Sequence, residues 1–182
     1  LTSGAPLPIS TPGGMRTVRR GHPLTLATRR PDLTATKDLV RCGHAVATSS
    51  QPGAPALAAV DGSPATDWQP MTVKASLTAP VQPLAGSIRT ITLRWGRQWP
   101  KVPGPNIPPP PGPVLVLRPA SYSVQVSSNR RTWRTVALVR GRTGVLDNIR
   151  LKHGVKARFV RIRVTAVSAT QLPMLDELTV TS

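Results

Sequence analysis

Proline interrupts this chain so often that long helices are excluded. There are 21 prolines and 14 glycines in 182 residues, and an interior proline removes a backbone donor and clashes with the preceding helical turn. What remains between them is short and alternating. Over 87–95, Ile91, Leu93 and Trp95 fall on one face and Thr90, Thr92 and Arg94 on the other. Tyr122, Val124 and Val126 alternate with Ser123, Gln125 and Ser127, and Val160, Ile162 and Val164 alternate with Arg161 and Arg163. Period-two patterning of this kind marks half-buried strands. Thr132–Val139, after a Ser128-Asn129-Arg130 turn, reads as another strand, and Met71–Leu77 alternates weakly. Residues 45–50 lead into the unit, and Leu178 and Val180 close it. Many short strands separated by turn signals make a sandwich or barrel.

The expected main domain runs over 39–182. Residues 1–38 read as a β-hairpin and linker, with Met15–Arg20 and Leu24–Thr28 flanking a Gly21-His22-Pro23 turn. An isolated hairpin is marginally stable, so this one must pack on a neighbour.

The residue inventory argues for binding and against catalysis. The seven acidic residues form no recognisable general acid/base pair, the three histidines (His22, His44, His153) have no metal-ligand spacing, and neither a nucleophile elbow nor a phosphate-binding loop is present. Cys42 is the only cysteine, which excludes an intrachain disulfide and suggests a buried or boundary thiol. No run of 18 apolar residues exists to span a membrane as a helix. The net charge of +17, from 24 basic and 7 acidic residues, favours anionic partners. Arginine supplies 19 of the 24. Arg161 and Arg163 share a strand face, and Arg130, Arg131 and Arg134 flank Trp133. This reads as a solvated basic face. Nucleic-acid binding is disfavoured, because it needs stacking partners and aromatics are only 3% of the chain.

Trp68, Trp95 and Trp133 are expected to pack. Trp99 differs, because it opens the stretch Trp99–Pro113, rich in proline and partly polyproline II in character. A sugar stacks its apolar face on an aromatic ring while amides and guanidinium groups hydrogen-bond its hydroxyls. Arg97, Trp99 and Asn106 would supply those parts. The alternative is that this loop packs over apolar surface or against an upstream domain.

The order of elements then becomes informative. Ala58-Ala59-Val60-Asp61-Gly62-Ser63-Pro64-Ala65-Thr66-Asp67-Trp68 is followed by Ser121–Ser127, Trp133, Ala157–Arg163 and Leu175–Val180. That series resembles the discoidin, or coagulation factor 5/8 type C, domain. The resemblance implies an all-β, galactose-binding-domain-like jelly-roll sandwich, a binding module common at the ends of secreted glycoside hydrolases. It also implies a structural calcium ion held by the Asp61 carboxylate, the Thr66 hydroxyl or carbonyl, the carbonyls of Ala58 and Ser63, and Glu177. Calcium takes six to eight such oxygens. Two positions depart from the family pattern: Ala65 stands where an acid or amide is common, and Pro55 lies where galactose-binding relatives place a histidine. Near the start, Gly13, Gly14, Arg16, Thr17, Val18 and Thr28–Leu33 resemble the end of the C-terminal β-domain of actinobacterial family 65 glycoside hydrolases and phosphorylases. The expected function is therefore non-catalytic carbohydrate binding, as the C-terminal module of a secreted or cell-surface enzyme whose upstream domain holds the active site. Two other readings stay open: a structural docking domain without ligand, and a binder of polyanions such as acidic glycan, lipid headgroup or nucleic acid.

Overall fold

The structure, a computed structural model, describes 7–11 and 14–18 by their backbone and 38–82, 87–98, 114–167 and 171–182 with their side chains. The chain divides into two units, Leu1–Asp32 and Leu33–Ser182. In the first, β1 (Leu7–Thr11) pairs antiparallel with β2 (Gly14–Val18). Part of the expected first arm, Met15–Val18, lies in β2, which pairs with β1 in a hairpin. Pro12-Gly13, a turn-forming pair, separates the two strands. Leu24–Thr28 lies outside the described residues.

The second unit is built from two antiparallel sheets. Its strands are β3 (Val46–Ala47), β4 (Ser76–Pro80), β5 (Ile88–Gln98), β6 (Leu115–Leu117), β7 (Ser121–Ser127), β8 (Arg134–Arg140), β9 (Leu146–Val155), β10 (Phe159–Ala166) and β11 (Leu175–Thr181). One sheet has the order β3-β4-β10-β7-β8; in the other, β5 is flanked by β11 and β9 and pairs with β6 beyond them. A short 3-10 turn, Ala56–Val60, is the sole helical segment among the described residues.

The inward alternation read from the sequence is realised. Ile91, Leu93, Trp95, Tyr122, Val124, Val160, Ile162, Leu178 and Val180 are all essentially removed from water. They form one core with Trp68 and Leu77, shared by both sheets. Burying such side chains supplies about 1.5–3 kcal/mol each. Three details differ from expectation. The strand expected over Met71–Leu77 starts at Ser76; Met71 and Val73 are exposed, because the alternating apolar residues there sit on bends. β9 was not anticipated at all. Cys42, expected as a buried or boundary thiol, is exposed, with a positive φ of 54°.

A carboxylate sits inside this core. Asp147 on β9 is fully buried, and its Oδ2 accepts hydrogen bonds from Trp95 Nε1 (2.9 Å), Tyr122 Oη (2.6 Å) and an Arg118 terminal nitrogen (2.7 Å). Arg142 reaches Oδ1 at 3.4 Å. The Trp95 and Tyr122 rings meet edge-on, centroids 5.3 Å apart. Burial opposes ionisation of Asp147, but the bonds from Tyr122 and Trp95 and the charge of Arg118 outweigh it and hold the carboxyl below its ordinary value. Burial, then Asp147, pushes the Tyr122 hydroxyl upward, so it stays a donor.

Asp147→Ala would leave the buried Arg118 uncompensated. The expected loss is about 3–5 kcal/mol, read from urea unfolding. Because the folded carboxyl titrates below the unfolded value of 3.8, its contribution is complete above that pH and disappears as pH falls through the folded value. The stability gap between wild type and Asp147→Asn should therefore narrow below pH 3.8. A gap that stays constant with pH would contradict this account.

Candidate functional site

The acidic corner of the unit is shaped by a bulge in β11. The pairing of Leu175 with Trp95 and of Glu177 with Arg94 leaves Asp176 as an extra residue. A bulge re-aims side chains, and here Asp176 and Glu177 both leave the core face while Leu175 and Leu178 remain buried in it. Trp68 and Leu175 exchange two backbone hydrogen bonds, at 2.9 and 3.0 Å, which dock the Asp61 loop against the start of β11.

Within that loop, Asp61 Oδ1 accepts the Ser63 N–H at 2.7 Å, and Oδ2 accepts the Thr66 hydroxyl at 2.7 Å. Gly62 adopts a φ of +80°, and a Cβ there would run into the Arg41 guanidinium. Opposite lies Glu177, whose two carboxylate oxygens are buried. Its carboxyl is pushed up to about 7, first by burial and then by the charges of Asp38 and Asp61, against the opposing influence of the Gly62 N–H and of Arg41. Asp38, which the sequence reading did not single out, belongs to this corner. Its Oδ1 accepts the N–H groups of Val180 (2.9 Å) and Val40 (3.2 Å). Asp38, Arg41, Gly62, Arg94, Glu177 and Thr179 are among the residues lining a cavity of about 310 Å³.

These residues fit a hard cation. The buried Glu177 carboxylate has the Gly62 N–H and the charge of Arg41 against the charges of Asp38 and Asp61, and a bound cation would add to that compensation. Each carboxylate oxygen of Asp61 already accepts one bond and retains a second lone pair. No three His, Cys, Asp or Glu side chains converge among the described residues, so hydroxyl and carbonyl oxygens would have to complete a coordination shell.

A second feature lies where β5 runs beyond its long pairings. Arg97, Gln98, Gln51, Gln69 and Gln171 line a cleft of about 550 Å³ together with Leu117, Leu172 and Met174. Gln171 Nε2 donates to Gln98 Oε1 at 3.0 Å, and the Gln51 N–H donates to the Gln69 carbonyl at 2.8 Å. Arg97 is exposed and also borders a neighbouring cleft of about 370 Å³, where Asp67, Asp176 and Arg94 lie. Burial, followed by Asp67, raises Asp176. The sequence reading placed Arg97 in a binding surface but missed the glutamines, which are scattered at 51, 69, 98 and 171 with no local pattern. Trp99 and Asn106 lie outside the described residues.

Solved structures share this architecture. Chitosan-binding module 1 of a chitosanase/glucanase from Paenibacillus sp. IK-5 superposes with a TM-score of 0.61 at 22% identity, covering 80% of this chain and 98% of that one. The family 32 carbohydrate-binding module of C. perfringens NanJ, in complex with galactose, gives 0.60 at 17% identity over 80% and 98%. That of Streptococcus pneumoniae EndoD gives 0.60 at 9% over 80% and 99%. The chain has the discoidin-like fold of the family 32 carbohydrate-binding modules. No protein-family model and no curated protein matches the sequence.

The raised Glu177 carboxyl gives a pH signature. Its folded value near 7 exceeds the unfolded 4.5, so the associated stability is complete below pH 4.5 and is lost as pH rises through 7. In chelator, melting temperature should fall between pH 5 and pH 8 in the wild type. The fall should be smaller in Glu177→Gln, and equal slopes would show that Glu177 is not responsible.

Proposed function

We propose that this chain is a non-catalytic carbohydrate-binding module, with the Arg97 and glutamine cleft as its sugar site. The observation that carries the reading is the composition of that cleft. Four side-chain amides and one guanidinium border apolar Leu117, Leu172 and Met174. Amides both donate and accept, which suits sugar hydroxyls, and the apolar side chains suit the C–H face of a sugar ring. A volume of about 550 Å³ is in the usual range for small-ligand sites. The fold shared with modules that bind chitotriose and galactose supports the reading. Trp99 and Asn106, neighbours of this cleft in sequence, remain candidates to complete it.

In this reading the module serves a parent glycoside hydrolase or phosphorylase, secreted or at the cell surface. It holds the upstream catalytic domain near glycan and raises its effective concentration there. A calcium ion would be held by Asp61, Glu177, Thr66 and the carbonyls of Ala58 and Ser63. Bound, it supplies charge compensation and a cross-link between the loop after the 3-10 turn and β11. The chain's own residues do the rest: Asp61 organises its loop through Ser63 and Thr66, and the bulge aims Glu177 at it.

Two outcomes test these statements. Screening the full chain on neutral glycans should find a ligand whose binding resists salt and falls about tenfold or more in Arg97→Ala, the value of a lost charge-assisted hydrogen bond. Absence of any neutral ligand would leave the docking-domain reading in its place. Calcium should raise the melting temperature more at pH 8 than at pH 5, since the ligand carboxylates must be ionised. Glu177→Gln and Asp61→Asn should each abolish that increase, and a calcium response that survives both would remove the site.

A further inference from the structure

The outer face of the five-stranded sheet carries two arginine–aromatic stacks side by side. Arg161 lies over the Trp133 ring, 3.9 Å from its centroid, and Arg130 lies over Phe159 at 4.6 Å. Phe159 and Arg161 are two residues apart on β10, so they share a face about 7 Å from each other along the strand. Arg163 continues the same row and is exposed.

Both guanidinium groups are positioned by the surrounding chain. Arg161 Nε donates to Gln125 Oε1 at 2.8 Å, and Gln125 Nε2 donates to the Thr135 hydroxyl at 3.2 Å. Arg130 holds a left-handed backbone, φ 62°, which costs energy for a residue with a side chain. Its loop is arranged to keep it there. Ser127 Oγ accepts the N–H groups of Asn129 and Arg130, Asn129 Oδ1 accepts those of Arg131 and Thr132, and Trp133 Nε1 donates to the Arg130 carbonyl. The terminal N–H groups of both guanidiniums make no hydrogen bond to any described residue.

This face lacks counter-charge. Among the described residues, no Asp or Glu lies on β3, β4, β7, β8, β10 or the 128–133 loop, and neither Arg130 nor Arg161 makes an ion pair with a described residue. Burial and the neighbouring Arg163 push the Arg161 guanidinium down, as expected of cations crowded without an anion.

We propose that the Arg130–Phe159 and Arg161–Trp133 stacks form a second binding surface, separate from the Arg97 cleft, for the carboxylate or sulfate groups of an acidic polysaccharide. The planar N–H fork of arginine matches both anions bidentately. Polysaccharide is favoured over nucleic acid because the two rings are already covered by guanidinium groups and offer no open platform for a base. It is favoured over lipid because Gln125 and Thr135, in the row of Arg161, present an amide and a hydroxyl beside the guanidinium groups, which suit sugar hydroxyls.

Calorimetric titration of the full chain with alginate, a carboxylate polymer, and heparin, a sulfated one, tests the proposal. Pullulan, duplex DNA and phosphatidylserine vesicles serve as comparators. At least one acidic polysaccharide should bind more tightly than DNA or vesicles; which of the two identifies the anion. Arg130→Gln/Arg161→Gln should weaken it by about tenfold or more, the worth of charge-assisted hydrogen bonds. Arg130→Lys/Arg161→Lys, which keeps the charge but not the fork, should weaken it too. Arg89→Gln/Arg150→Gln removes equal charge from the other sheet and should bind as wild type does. Equal losses in the two glutamine doubles, wild-type binding by the lysine double, tighter binding to DNA or vesicles, or no acidic polysaccharide bound would each overturn the proposal. Arg97→Ala should leave this binding intact, so failure here and failure of the neutral sugar site are read separately. Melting temperatures of all variants verify folding.

Discussion

Taking the Asp147 carboxylate out of water costs several kcal/mol before any partner is supplied, and much of the second unit is arranged to supply partners. Tyr122 comes from β7 in the five-stranded sheet, Trp95 from β5 in the other, and Arg118 from the segment between β6 and β7. An apolar core tolerates some sliding of one sheet over another, because area burial is non-directional. Hydrogen bonds to one carboxylate oxygen do not. A one-residue slip of β9 would carry Asp147 to the outer face and strand three donors in the interior. The polar cluster therefore fixes the register of β9 on β5 and the way the two sheets face each other. Both proposed binding surfaces depend on that fixed relation, since one is built at the end of β5 and the other on the back of β7 and β10.

The same residue shows why the sequence was legible in some places and not in others. Strands whose inward positions are all apolar, such as β7 and β10, announce themselves by alternation. β9 does not, because an aspartate takes its first inward position and breaks the pattern at Leu146-Asp147-Asn148-Ile149. β6 is only three residues long and follows a proline-rich stretch. β1 stayed unread because its five residues, Leu7–Thr11, include a proline and show little apolar alternation.

For the acidic corner, Asp61 and Glu177 came from a resemblance, not from spacing, since they lie 116 positions apart. Asp38 stayed hidden because its place depends on the beginning of the unit meeting β11. The cleft at Arg97 was half visible. A lone arginine beside a tryptophan stands out, whereas glutamines from four distant segments have meaning only once the fold assembles them. The arginine–aromatic stacks were visible as composition but not as geometry, and composition alone suggests a solvated face.

The meeting of Asp38 and Leu39 with Val180 has a consequence for how such a unit is carried. The Leu39 N–H donates to the Val180 carbonyl at 2.7 Å, and the Val180 N–H donates to Asp38. The two ends of the folded unit are thereby clasped at one point. A host chain can leave its path, form the whole sandwich and return to nearly the same place, so its own flanking segments need not move apart.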